Sequence, residues 1–468
     1  MSSPHGAGLF GDITHPLTVH VVGVGGAGMS AIATALRTMG HTVTGSDLKA
    51  SAVTERLRAA GIAVAIGHDN ANVGSADVVT WSSAIHANNP ELVEAARRGI
   101  TSIPRSAALA AIASLKRSIA VAGTHGKTTT ASMLALQLIE GGTRPSFLIG
   151  GDVNEIGTNA VWDQGEWLVV EADESDGSFL SLTPDVAVVT NVEADHLDHW
   201  GSFAAVQAAF GEFLAGARVS KVVGGDDPVA AEIGRAASAT LVGTAPDCTY
   251  QMVDLHLARS SISFGLVGPD GVALGRLEVP VPGHHNAQNA AVATVAALEA
   301  GVSFDAAARA LSRFAGVARR FEFRGELGVV TFVDDYAHLP TEVRAVLAAA
   351  RHGHWSRIVA VFQPHRYSRT VELGSQLGEA FGDADVVVIT DVYSAGEAPV
   401  PGVSGQLVAD SVRRAFPTMP VHYVPGRTEL RAAVGALLED GDLCFTIGAG
   451  DLTSLPDELM SDLGLRGW

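Results

Sequence analysis

Short apolar runs recur along the chain, each closed by a glycine-rich or polar turn and followed by a longer stretch of helical character. The first run is Val19-His20-Val21-Val22, which leads into Gly23-Val24-Gly25-Gly26-Ala27-Gly28 and a helical stretch to Met39. Residues 41–47 read as the next strand, and residues 64–66 and 77–80 continue the alternation. This rhythm predicts strands laid in parallel with helices on both faces of a sheet.

A second segment opens on Ser118-Ile119-Ala120-Val121-Ala122, with strands expected near 166–170 and 186–190. Near 250–280 the pattern shifts to short alternating strands with glycine turns, which suggests an antiparallel extension. A helix follows near 287–300. A third segment begins after Phe314-Ala315-Gly316-Val317, with strands expected at 329–334, 358–362, 386–390 and 443–447. No low-complexity segment or short-period repeat interrupts the pattern. The expected organisation is α/β in three domains, 1–115, 116–317 and 318–468.

Length and composition agree. At 468 residues the chain exceeds one compact core. Its 47% hydrophobic and 17% charged content supports buried cores and excludes a disordered chain. The 31 basic against 50 acidic residues give a net charge of −19, so the basic footprint of a nucleic-acid binder is missing. Cys248 and Cys444 stand far apart with no partners at metal-ligand spacing, and read as buried spectator thiols. The first 16 residues show no basic and apolar signal-peptide pattern, and no apolar run is long enough to span a bilayer. A soluble, cytoplasmic protein is expected.

The sharpest motif is Gly123-Thr124-His125-Gly126-Lys127-Thr128-Thr129-Thr130, between an apolar strand and a helical stretch. Backbone N–H groups at a helix start bind phosphate, and the helix dipole favours the negative charge. Lys127 is placed to neutralise β- and γ-phosphates, and the Thr128 hydroxyl to coordinate Mg²⁺. The loop is a shortened phosphate-binding loop, because Val121 stands where the first glycine of the usual pattern falls.

A second glycine pattern, Gly23-x-Gly25-x-x-Gly28, has Asp47 19 residues beyond it. Taken alone it fits a dinucleotide site with Asp47 on a ribose hydroxyl, and hence an NAD-dependent dehydrogenase. It equally fits the diphosphate of a nucleotide-sugar, and the separate ATP loop favours that reading. A non-catalytic nucleotide sensor is a further alternative.

Other candidates cluster at expected strand ends, where ligands gather in parallel sheets. Glu171-Ala172-Asp173-Glu174-Ser175-Asp176 reads either as a solvated acidic turn or as a Mg²⁺ site. His196, in Asn191-Val192-Glu193-Ala194-Asp195-His196, is a candidate ligand for a second metal. Asn286 and Asn289 lie on one helix face, suited either to an adenine or to capping. Asp334-Asp335-Tyr336-Ala337-His338 and Gln363-Pro364-His365-Arg366-Tyr367-Ser368-Arg369 follow strands of the third segment. Arg366 and Arg369 suit carboxylate or phosphate, and Arg319-Arg320 precedes them.

Together these motifs resemble the Mur ligase family of peptidoglycan synthesis. The matching stretches are 23–30, 123–130, 171–180, 191–198, 283–289, 314–321, 334–342, 362–370, 391–397 and 448–451, in order over nearly the whole chain. The resemblance implies a Rossmann-like N-terminal domain for a UDP-sugar, a central P-loop ATPase-type domain with a mostly parallel sheet, and a C-terminal Rossmann-like α/β domain that closes on the nucleotide. It is nearest to the member that joins L-alanine to UDP-N-acetylmuramate with ATP and Mg²⁺, and the member that adds a whole tripeptide is the alternative. A monomer or homodimer is expected.

By position, the resemblance assigns Gly123, Thr124, His125, Gly126, Lys127, Thr128 and Thr129 to ATP, with Asn286, Asn289, Arg320 and Asp335. Thr128, Glu171 and His196 would serve the metal, and Lys127, Glu171, His196 and His338 the chemistry. Tyr336, His338, Arg366 and Arg369 would form the alanine pocket. Gly25, Gly26, Gly28, Met29, Ser30, Asp47, His68, Ser82, Ser83 and Arg105 would meet the UDP-sugar. The chain departs from the family in carrying Leu339 where a second histidine often follows His338, and in having no lysine between Asn191 and Ser220. Metal bridging by a modified lysine is therefore not expected.

Overall fold

The computed structural model describes Phe10 and residues 12–465. Most of the N-terminal stretch read above for a signal peptide lies outside the described residues. Three sheets organise the chain. The first comprises β1 (Thr18–Val22), β2 (Thr42–Asp47), β3 (Ala63–Ile66), β4 (Val78–Trp81) and β5 (Thr101–Pro104), in the order β3-β2-β1-β4-β5. Every neighbour pair in it is parallel. Its strand order reverses between β1 and β4, the place where open α/β sheets bind ligands.

The second sheet comprises β6 (Arg117–Ala122), β7 (Ser146–Val153), β8 (Thr158–Val161), β9 (Trp167–Glu171), β10 (Val186–Val189), β11 (Ser220–Gly224), β12 (Thr240–Gly243), β13 (Tyr250–Leu257), β14 (Ile262–Val267) and β15 (Ala273–Val279). Its order is β15-β14-β13-β12-β11-β10-β6-β9-β7-β8. β6 lies between β10 and β9, parallel to both. Ile119, Ala120, Val121 and Ala122 are fully buried. A strand covered on both faces needs such a continuous apolar run rather than alternation.

The third sheet comprises β16 (Glu322–Leu327), β17 (Val330–Asp335), β18 (Arg357–Phe362), β19 (Val386–Ile389), β20 (Val421–Tyr423) and β21 (Asp442–Ile447), in the order β16-β17-β21-β18-β19-β20. β16 pairs antiparallel with β17, and the other pairs are parallel. The strands expected in this segment are present, together with β16 and β20, which the pattern did not predict. β16 alternates little, is interrupted by a register shift between Phe323 and Gly325, and leaves Phe323 exposed.

The chain divides into two compact units. One comprises residues 1–254, 264–278 and 288–314, and the other residues 255–263, 279–287 and 315–468. In the first, one continuous core runs from Val19 and Leu36 to Val170, Phe210 and Val223. In the second, Val333, Leu347, Phe362, Phe381 and Phe445 pack on one side of the sheet, and Phe332, Val361, Leu430 and Leu455 form a separate cluster.

Candidate active site

Three turns meet at the carboxyl ends of β6, β9 and β10. After β6 the chain turns through Gly123 (φ +137°) and Gly126 (φ +79°) into the helix Lys127–Glu140. A side chain at Gly123 would strike the Thr190 hydroxyl at the end of β10, and one at Gly126 would strike the Asn289 carboxamide. Glycine is therefore required twice, for conformation and for close approach. The loop is pinned from β10: Thr124 N–H donates to Asn191 O at 3.1 Å, and His125 N–H to Asn191 Oδ1 at 2.8 Å. Glu193 N–H donates to Thr124 Oγ1 at 2.9 Å. No side chain caps the helix at Gly126, which leaves its first-turn N–H groups to an anion.

Lys127 and Thr128 each meet an acid at or just beyond the end of β9. Lys127 Nζ donates to Gly123 O at 2.6 Å and Thr124 O at 3.1 Å, and lies 2.9 and 2.8 Å from the two oxygens of Glu174. Thr128 Oγ1 donates to Glu171 Oε1 at 3.1 Å, and Gly150 N–H to Glu171 Oε2 at 2.6 Å. Burial opposes the charge on Lys127, but Glu174 and Asp173 outweigh it and hold the ammonium above its ordinary value. Burial wins at Glu174, whose carboxyl is pushed up to about 7 despite Lys127. These two directions pull the pair apart. Lys127 stays charged, because the neighbouring acids Asp173 and Glu171 favour its ammonium too.

Cations of the protein itself already meet acids of this run. Burial disfavours ionisation of Asp173, yet Arg105 and Lys127 hold its pKa well below the usual range. Arg105 Nη2 donates to Asp173 Oδ2 at 2.7 Å and lies 3.6 Å from Asp176. Arg105, expected to meet the UDP-sugar, therefore has protein carboxylates as its partners. His196 sits in the left-handed region (φ 53°), with Nε2 3.3 Å from Asp195 Oδ2. Among the described residues no group of three or more His, Cys, Asp or Glu forms a metal cage. The Thr128 hydroxyl beside the Glu171 carboxylate nevertheless fits Mg²⁺, which takes one or two protein oxygens and fills its shell with phosphate and water.

A cleft of about 250 Å³ joins this rim to the first sheet, lined by Ala27, Gly28, Ile32, Arg105, Leu148, Glu171 and Asp173 among others. Gly25 and Gly26 lie in the turn after β1, and Gly28 in the first turn of the helix Ala27–Thr38. A side chain at Gly28 would meet Arg105 Nη1 at 2.9 Å. Asp47 Oδ2 accepts from Gly25 N–H at 2.9 Å, which ties β2 to the glycine turn. Ser82 follows β4 at the same switch point and Ser83 is exposed beside it. Three of the residues expected at the UDP-sugar have protein surroundings of their own. Met29 and Ser30 are buried, and Ser30 Oγ donates to Ala27 O at 2.9 Å, so neither side chain faces the cleft. His68 Nδ1 lies 3.2 Å from Glu91 Oε2, a buried carboxylate that also accepts from Ser46 Oγ and Asn72 Nδ2, both at 2.6 Å.

The second unit carries its own rim. Asp335 ends β17 with both oxygens engaged: Phe321 N–H donates to Oδ2 and Ala337 N–H to Oδ1, each at 2.7 Å. Burial lifts its carboxyl to about 6 against the pull of Arg320. Asp335, expected at ATP, is thus also a turn-former. Arg319 and Arg320 lie over the Tyr336 ring at 4.8 and 5.2 Å. His338 Nδ1 faces Tyr336 O at 3.1 Å and Glu342 Oε2 at 3.3 Å. Both acceptors face the same ring nitrogen, which places a proton there.

Beyond β18, Arg369 Nη1 lies 3.3 Å from His365 Nδ1. The His365 ring meets His338 at 5.6 Å and stacks on Tyr393 at 5.7 Å. Burial first, then His338, Arg369 and Arg366, push His365 down to about 4, so it is neutral. Arg366 caps the helix Tyr367–Gly378 at φ 69°, and its Nε is buried without a partner. The structure thus brings Tyr336, His338, Arg366 and Arg369 to one rim and adds His365 and Tyr393. Asn286 and Asn289, on the helix His284–Glu299, are both buried; Asn286 Nδ2 donates to Pro282 O at 2.7 Å.

Comparison with known proteins bears on this geometry. The Mur ligase family model for the catalytic domain matches residues 18–117, the middle-domain model residues 121–297, and the glutamate ligase domain model residues 319–450. The UDP-N-acetylmuramate--L-alanine ligase of Rubrobacter xylanophilus is 46% identical over 96% of this chain and all of its own length. That of Geobacter sp. (strain M21) is 44% identical over 94% of this chain and 96% of its own. The crystal structure of the UDP-N-acetylmuramate-alanine ligase of Thermotoga maritima superimposes with a TM-score of 0.82 at 26% identity, covering 96% of this chain and all of that one. A murein peptide ligase from Psychrobacter arcticus shares the fold, with a TM-score of 0.71 at 24% identity over 96% and 99% of the two chains. These models and relatives match the chain along nearly its whole length, and the chain belongs to the Mur ligase family.

Proposed function

We propose that the chain joins L-alanine to the lactyl carboxylate of UDP-N-acetylmuramate, converting ATP to ADP and phosphate. The observation that carries this reading is Lys127 and Thr128 at an uncapped helix start, directly beside Glu171, in a chain 44–46% identical over nearly its full length to ligases of that name. We assign residues 1–115 to the UDP-sugar, 116–317 to ATP and 318–468 to the amino acid. We place the enzyme in the cytoplasm.

The chemistry follows from charge. A carboxylate is a poor electrophile. Its oxygen attacks the γ-phosphorus, the bond from that phosphorus to the β-phosphate oxygen breaks, and ADP leaves. Lys127 and the N–H groups of the loop stabilise charge on the transferring group. Mg²⁺, held by Thr128, Glu171 and by our assignment His196, would supply further charge stabilisation at the phosphates. The neutral amine of alanine then attacks the acyl carbon, phosphate departs, and nitrogen gives up a proton. His338 is our candidate acceptor for that proton. Arg366 and Arg369 would hold the alanine carboxylate.

The test is phosphate release with UDP-N-acetylmuramate and ATP against L-alanine, glycine, L-serine and an L-alanyl tripeptide. L-alanine should be preferred. Turnover with the tripeptide but not with L-alanine would move the chain to the tripeptide-adding branch, and reduction of NAD would restore the dehydrogenase reading.

A further inference from the structure

An ammonium group has three donors, and the protein engages all three of those on Lys127. Gly123 O accepts at 2.6 Å, Thr124 O at 3.1 Å, and the Glu174 carboxylate lies 2.9 and 2.8 Å away. Contact with a phosphate therefore requires one acceptor to give way. The two carbonyls belong to a loop pinned by Asn191 through Thr124 N and His125 N. Glu174 is the mobile member of the three, a side chain, and it carries the same charge as the incoming phosphate. Its own main chain is fixed separately, because Trp200 Nε1 donates to Glu174 O at 3.0 Å. The carboxylate is thus free to swing without disturbing its turn. It is also 4% exposed, so water competes little for it.

We propose that Glu174 is a positioning residue for Lys127: it holds the lysine in the empty loop and is displaced by the β-phosphate of the nucleotide. This rests on the ATP-site reading above. Glu174 and phosphate are then competitors for one ammonium. Binding opens the Lys127–Glu174 pair, and its re-formation helps expel ADP after turnover. Glu171 and Asp173 do not play this part, since each is held by other partners: Thr128 and Gly150, and Arg105.

The test is calorimetric binding to the full-length chain of three probes with Mg²⁺: ADP, a non-hydrolysable ATP analogue, and adenosine. Glu174→Gln should tighten ADP and the analogue by about tenfold, the scale of one hydrogen bond to a charged group, and leave adenosine unchanged. Asp176→Asn removes a nearby charge that does not touch Lys127, and should move all three little. Equal tightening in Asp176→Asn would show a general field and overturn the competition, as would unchanged or weakened ADP binding in a folded Glu174→Gln protein. Should Glu174→Gln fail to fold, Glu174→Asp, which shortens the reach and keeps the charge, is expected to tighten ADP in the same direction; no tightening there overturns the proposal. Failure of the unsubstituted chain to bind any of the three probes would instead bring down the ATP-site reading, and the competition with it.

Discussion

Lys127→Ala separates a catalytic effect from a stability effect, and the second can be worked from the structure. Removing the ammonium strips charge stabilisation from the transferring phosphoryl group, and losses of about 10³-fold or more in phosphate release are expected from comparable deletions. The same change leaves Glu174 buried and unpaired. With Lys127 present, burial already lifts Glu174 from an ordinary 4.5 to about 7. A carboxyl raised in the folded state contributes stability that is complete below its unfolded pKa and is lost as pH rises through the folded value. That loss amounts to about 3 kcal/mol between pH 4.5 and 7, at about 1.4 kcal/mol per unit of pH.

Without the lysine the folded value climbs further, so the loss continues above pH 7 at about 1.4 kcal/mol per unit. Urea unfolding should therefore find Lys127→Ala losing about 1 kcal/mol more than the parent between pH 7 and 8. Adding Glu174→Gln should abolish the extra slope. Parallel stability–pH curves for the parent and Lys127→Ala would refute the electrostatic reading of the pair. Near-normal ligation by a folded Lys127→Ala protein would refute the role given to the loop.

Other perturbations probe the remaining elements. Arg366→Ala should raise KM for L-alanine by about 10²-fold or more, the worth of a charge-assisted contact, while KM for ATP barely changes; a change confined to ATP would show the pocket misassigned. Gly126→Ala adds about 1–2 kcal/mol of backbone strain at φ +79° and pushes a methyl group into Asn289, so nucleotide affinity measured by calorimetry should fall about tenfold or more. Glu91, held at about 2 by His20, Ser46 and Asn72 in spite of burial, contributes stability present above pH 4.5 and lost as pH falls toward 2. Glu91→Gln should lower stability at pH 7 by about 3 kcal/mol and flatten its acid limb in urea melts.

Much of this architecture is legible without coordinates because parallel strands advertise themselves. β6, β9, β10 and β18 are largely continuous apolar runs, and a chemical motif follows each of them directly. Once the turns after β6, β9 and β10 are placed at carboxyl ends of strands in one sheet, their convergence needs only a strand order that sets β6 between the other two. β16 and β20 escaped because they lack that signature: one is a bulged edge strand with an exposed Phe323, the other three half-buried residues. The burial of Met29 and Ser30 escaped the sequence for a related reason. Proximity to a glycine turn says nothing about which way a helical side chain points, and the first turn after Gly26 directs both into the core.

The partners of the charged groups were the least visible part, and the physical reason is specific. Four acids within residues 171–176 imply only that positive charge must be nearby. The charge comes from Lys127 after β6 and from Arg105 at the head of the helix Arg105–Ala113, 47 and 68 residues from the acids they meet. Each pairing depends on which non-consecutive elements the topology makes neighbours, and no local spacing records that. Net charge is equally uninformative: at −19 the chain looks hostile to a triphosphate, yet the groups facing the loop are a lysine and unpaired backbone N–H donors. The acids around them are already committed to protein partners, so the local field that a phosphate meets is governed by which of those commitments it can break. Glu174 is the one whose partner the phosphate itself requires.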